Sequence, residues 1–168
     1  MINERIFIDT NILLYLFEQP SKFQDPSEKI LQSLSTFNQV GIINSYVINE
    51  FHYNIIKAHR TKNIETSIEK ALSLPNIEYK DIEFTKKDII EITKISNKYN
   101  LKTFDAYHAY YCKKAKIKQI ATFDRDFKNI PWLKIYPTIS LWSNCNKQNH
   151  SPINFSWTSF NCLFVTWV

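Results

Sequence analysis

Short apolar runs alternate with amphipathic helical stretches, and this alternation constrains the chain more than anything else in it. Arg5–Ile8, Val40–Ile43, Ile77–Ile82, Gln119–Phe123 and Trp132–Ile139 read as strands. Between them lie helical patterns. Ile12–Phe17 follows Thr10 and Asn11, either of which can cap it, and Gln19-Pro20-Ser21 ends it. Asp25-Pro26 opens the next helix, with Asp25 as cap and Ile30, Leu31 and Leu34 as its buried stripe. Ser45 caps a helix carrying Val47, Ile48, Phe51 and Ile55. Further helices fit Ile64–Leu74, the stretch from Thr85 through Tyr99 with Ile89, Ile92 and Ile95 or Ile90 facing in, and Phe104–Lys116 with Thr103 as cap. The pattern predicts an α/β fold: a central parallel sheet of about four to five strands flanked by helices.

In an open parallel sheet, ligands collect beyond the carboxyl ends of the strands. Asp9 follows the first predicted strand and Asp124 follows the fourth, so both carboxylates fall on one sheet edge. Glu50 and Asp105 sit on helices that enter or leave that edge. Each has an ordinary explanation taken singly. Asp9 serves as a helix cap, Glu50 as an exposed helix residue, Asp105 as a first-turn acid beside the helix dipole, and Asp124 and Asp126 as turn residues. Together, four acids at one edge repel one another unless a cation lies between them. Carboxylates alone suit a hard divalent ion such as Mg²⁺ or Mn²⁺, which activates water and offsets charge on phosphoryl oxygens.

Composition removes competing chemistries. Glycine occurs once, at Gly41, so neither a phosphate loop nor a dinucleotide fingerprint can be built. Cys112, Cys145 and Cys162 show no metal-ligand spacing and make an odd set, which points to a reducing, cytoplasmic setting. No apolar leader and no membrane-length apolar run is visible. The net charge of +5, carried mostly by lysine, is compatible with a polyanionic partner.

Four stretches resemble the PIN-domain family, within it the VapC-like toxin ribonucleases of toxin–antitoxin modules. They are FIDTNILLY at Phe7–Tyr15, NSYVINEF at Asn44–Phe51, and TFDAYHAYYCKKAKIKQIATFDRDF at Thr103–Phe127, which spans the third and fourth. The resemblance runs over about residues 5–140 and assigns residues 1–142 to a nuclease domain. It implies a Mg²⁺- or Mn²⁺-dependent endoribonuclease acting on RNA, silenced by a cognate antitoxin and assembled as a homodimer. Asp9, Glu50, Asp105 and Asp124 would be the metal-site acids, and Asn11, Thr122 and Asp126 would support them. A non-catalytic PIN-like binding module and a housekeeping RNA-processing nuclease are the alternatives. A haloacid-dehalogenase-type phosphatase would need an acid where Asn11 stands.

Other features are ambiguous. His108 lies three residues after Asp105 and is read as a surface or core-edge histidine with access to substrate. Lys113 and Lys114 among tyrosines suggest an RNA contact, or equally a solvated helix end. The family often places glycine before the fourth strand, where this chain has Lys116-Ile117-Lys118. Residues 143–168 hold one charge, Lys147, and the aromatics Phe155, Trp157, Phe160, Phe164 and Trp167. This atypical tail reads as a partner-binding segment or a non-native extension rather than an extra edge strand.

Overall fold

A computed structural model of the chain describes residues 4–17, 22–58 and 63–136. The predicted break at Gln19-Pro20-Ser21, residues 137–139 of the last predicted strand and the tail 143–168 lie outside the described residues.

Five strands form one parallel sheet: β1 (Glu4–Ile8), β2 (Gln39–Ile43), β3 (Ile77–Tyr79), β4 (Gln119–Ala121) and β5 (Lys134–Tyr136), in the order β3-β2-β1-β4-β5. In the central strand β1, Ile6, Phe7 and Ile8 are fully buried. A parallel strand covered on both faces has no polar side to offer. Six helices are described: α1 (Thr10–Phe17), α2 (Gln24–Thr36), α3 (Ser45–Lys57), α4 (Ile64–Leu72), α5 (Lys86–Tyr99) and α6 (Thr103–Ala115).

The chain builds outward from β1 through β2 to β3, then crosses back to place β4 on the other side of β1. The strand order therefore reverses at β1, and the crevice of such a sheet opens beyond the carboxyl ends of β1 and β4. The ladder extends one residue past β1, with the Asp9 amide donating to the Ala121 carbonyl at 3.0 Å.

Element ends differ from expectation where side chains have other partners. Asn44, not Ser45, caps α3, and its side chain accepts from the Val47 amide at 3.1 Å. The Ser45 amide instead donates to Asp81 at 2.9 Å. Helix α2 begins at Gln24, so Asp25 is a first-turn acid beside the helix dipole rather than the cap. Lys102 rather than Thr103 occupies the cap position of α6 and makes no side-chain cap bond. The Thr85 cap of α5 is as predicted and forms a reciprocal capping box with Asp88. Ile92 and Ile95 of α5 face the core, whereas Ile89 and Ile90 are exposed.

Helix α6 runs back from the carboxyl edge of the sheet to its amino edge. Arg5, near the start of β1, donates to the Ala115 carbonyl in the last turn of α6 at 3.0 Å. That leaves Asp105 at the opposite, carboxyl edge. Lys116 closes the helix at φ 58°, the left-handed geometry that glycine would supply without strain. The turn is thus kept although the glycine is missing.

Candidate metal centre

Asp9 emerges from β1 onto the first turn of α1 and is buried, at 3% exposure. Its Oδ2 accepts from the Asn11 amide at 2.6 Å and from the Thr122 hydroxyl. Asn11 also donates to Thr122 Oγ1 at 2.9 Å, and its own carbonyl oxygen accepts from the Phe123 amide at 3.3 Å. Thr122 Oγ1 accepts in turn from the Asp124 amide at 2.9 Å. One hydroxyl thus ties the loop after β4 to the carboxylate after β1. With Oδ2 held from one side, Oδ1 faces His108.

Glu50 projects from the second turn of α3 and is half-buried. Its Oε2 accepts from Thr10 Oγ1 at 2.7 Å. Thr10 and Asn11 were expected to cap α1. They instead bind the two acids, and α1 starts at Thr10 itself. Burial pushes the Glu50 carboxyl above its ordinary value, and nearby Asp9 adds to that. His108, the Thr10 hydrogen bond and the Lys102 ammonium oppose it.

Asp105 and His108 share the buried face of α6 with Ala106, Ala109 and Cys112. The Asp105 carboxyl is pushed up to about 7. Burial is the main cause; Asp9, Glu50 and Asp124 add repulsion, and His108 relieves part of it. This mutual repulsion connects all four acids predicted from the sequence. The tightest grouping is narrower. Asp9, Glu50 and His108 each offer one ligand atom, and these lie within 4.8 Å of one another.

His108 is the largest departure from expectation. It is 0% exposed rather than at the surface, packed against the Phe7 ring at 5.2 Å between centroids. Its Nδ1 lies 3.5 Å from Asp9 Oδ1 and its Nε2 3.7 Å from Glu50 Oε2, and neither nitrogen makes a hydrogen bond. The signal was present in the sequence: Ala106, Ala109 and Cys112 surround it on one helical face, and small residues mark close approach to the sheet. Thr10 was missed as an acid partner because Glu50 lies 40 residues away.

Other predicted residues fall elsewhere. Asp126 is exposed; its amide donates to Asp124 Oδ1 at 2.8 Å, a local turn that leads into the short 3₁₀ turn Asp126 begins, whose cap position is Arg125. Lys113 and Lys114 lie roughly 12–14 Å along α6 from Asp105, at the rise of an α-helix. Lys114 bonds Asp88 at 2.8 Å and the Glu83 carbonyl at 2.9 Å, pinning α6 to α5. Lys114, then Thr85 and Tyr110, hold the Asp88 carboxyl well below the usual carboxylate range. Lys113 lies over the Trp132 ring. Neither lysine reaches the acids.

The donor set fits a divalent cation. It consists of buried carboxylates that repel one another, with a buried imidazole left unpaired among them. Asp9 and Glu50 would hold the ion, with Asp105 and Asp124 close enough for their charges to act on it.

The sequence profile of the PIN domain matches residues 6–133. Ribonuclease VapC2 of Methanocaldococcus jannaschii is 32% identical, the alignment covering 80% of this chain and 95% of that protein. Ribonuclease VapC6 of the same organism is 28% identical, with 80% and 98% covered. Among solved structures, VapBC2 of Rickettsia felis, bound to a DNA fragment from its promoter, matches with a TM-score of 0.60 at 21% identity, covering 78% of this chain and 96% of that one. VapC20 of Mycobacterium tuberculosis, described as a sarcin–ricin loop cleaving toxin, matches at 0.60 and 15% identity, covering 76% and 96%.

Proposed function

The chain belongs to the PIN-domain family, in its VapC branch, and from that premise we propose that it is a ribonuclease toxin hydrolysing RNA phosphodiester bonds at the edge formed by β1, β4, α3 and α6. The observation that carries the reading is the buried grouping of Asp9, Glu50 and His108, whose ligand atoms lie within 4.8 Å of one another, with the Asp105 carboxyl pushed up to about 7 beside them. A protein gains nothing in stability from crowding buried acids. The arrangement has a purpose when a cation occupies it.

The ion would be Mg²⁺ or Mn²⁺, held by Asp9 and Glu50, with Asp105 and Asp124 completing the site as it binds. When bound, such an ion lowers the pKa of a ligated water and stabilises charge on the phosphoryl oxygens. The rest falls to the side chains. Asn11 and Thr122 fix Asp9 so that Oδ1 faces the cluster. Thr10 fixes one oxygen of Glu50 and leaves the other to orient or deprotonate the attacking water. The hydroxyl of Thr122 sets Asp124 through its amide, so the loop after β4 is tied to the carboxylate after β1.

An antitoxin partner follows from the VapC branch, and VapBC2 of Rickettsia felis is a pairing of this kind. A homodimer and a cytoplasmic setting belong to the same reading. No helix among the described residues is long and apolar enough to cross a membrane.

The test is cleavage of total RNA by the purified full chain, with MgCl₂ or MnCl₂ against EDTA. Cleavage with either ion that stops in EDTA and is lost in Asp9→Asn supports the reading. Metal-independent cleavage, or none by a folded and metal-loaded protein, overturns it.

A further inference from the structure

We propose that His108 is a nitrogen ligand of the metal site, making it a mixed nitrogen–oxygen centre that binds Mn²⁺ in preference to Mg²⁺; this rests on the metal-dependent reading above. The ring is 0% exposed and neither nitrogen has a hydrogen-bond partner. A buried polar group left in that state is destabilising, so a partner is missing. The neighbouring carboxylates do not fill the role. Nδ1 to Asp9 Oδ1 is 3.5 Å and Nε2 to Glu50 Oε2 is 3.7 Å, beyond the roughly 2.7–3.2 Å of an N–H···O bond.

The same distances suit groups that share an ion. With ligand bonds of about 2.1 Å, donors at right angles lie about 3.0 Å apart and opposed donors about 4.2 Å. The two ring nitrogens point apart, so only one enters the ion's shell; whichever it is, its spacing to the carboxylate it faces falls between these values. The fully buried ring lies among the core residues beneath the acids, and Phe7 packs against it. One nitrogen enters the ion's shell. The other faces the carboxylate on its own side, the outer partner that ligating histidines commonly have, and would close to hydrogen-bond distance as the ion draws the ring and the acids together.

A nitrogen donor changes which ion is preferred. Mg²⁺ favours oxygen ligands and sheds water reluctantly. Imidazole binds first-row transition ions more readily. Asp9 and Glu50 alone would discriminate weakly between Mg²⁺ and Mn²⁺; His108 tips the choice.

The experiment uses the full chain loaded with MnCl₂ and pulsed electron paramagnetic resonance, which detects ¹⁴N bound directly to Mn²⁺. The expected result is a nitrogen modulation in the wild type that disappears in His108→Leu. The Mn²⁺-over-Mg²⁺ affinity ratio, from competition with MgCl₂, should fall at least tenfold in the variant. Should His108→Leu not fold, His108→Gln replaces it, and the wild-type spectrum needs no variant. Bound Mn²⁺ without nitrogen modulation, a modulation that persists in the variant, or an unchanged ratio overturns this inference alone. Failure of the wild type to bind either ion overturns the metal-dependent reading as well.

Discussion

Asp105 has the most exposed consequence of any single residue. Its carboxyl titrates near 7 in the folded chain and at the ordinary 3.8 when unfolded. Between those values the folded state holds more protons, so stability falls as pH rises. The metal-free protein should be most stable near pH 4, lose stability steadily to about pH 7, and then level off with respect to this group. Thermal melts in EDTA across that range will show the slope. Asp105→Asn removes the ionisable group and should flatten the slope and raise the metal-free melting temperature at pH 8. A lower melting temperature at pH 8 would mean that Asp105 is a stabilising residue rather than a strained one.

At the scale of elements, two positions test how the sheet edge is supported. Gly41 in β2 faces α2 and β3, and a side chain there would overlap Ile77 and press on Ile8 and Leu34 at 3.0 Å. Valine favours strands, yet overpacking outweighs that preference here, and Gly41→Val should destabilise by about 1–3 kcal/mol in urea unfolding. Lys116 holds a left-handed turn at φ 58°. Lys116→Gly should stabilise by about 1 kcal/mol, since only a side chain is strained there. Much of this level was legible in the sequence. Apolar runs or apolar–polar alternation marked every strand, and the position of Asp9 and Asp124 directly after two predicted parallel strands put them on one edge. What was not legible were the ends. Thr10, Asn11 and Thr122 look like caps or strand residues because their partners lie 40, 111 and 113 residues away. Thr122 leaves the ladder, and β4 ends at Ala121, two residues before the predicted end. For His108, the small residues Ala106, Ala109 and Cys112 signal a close-packed helical face, but that this face meets Phe7 of β1 is stated by no local pattern.

For the whole molecule, the acid edge is a source of instability that ligand binding relieves. An ion that binds only the folded chain stabilises it by about 2.7 kcal/mol at a hundred times its dissociation constant, or about 5–10 °C at this size. Titration with MnCl₂ should raise the melting temperature by that order, and EDTA should return it. The gain should shrink in Asp9→Asn. The net charge of +5 suits a polyanionic substrate, so RNA binding should weaken as salt rises. All of this turns on one claim: the crowded acids exist for catalysis and not for the fold. The most direct measurement is the RNA cleavage rate of Asp105→Asn at saturating MnCl₂. The account predicts a loss of more than about 100-fold, greater than removal of an outer supporting partner usually costs. Cleavage at the wild-type rate would contradict it.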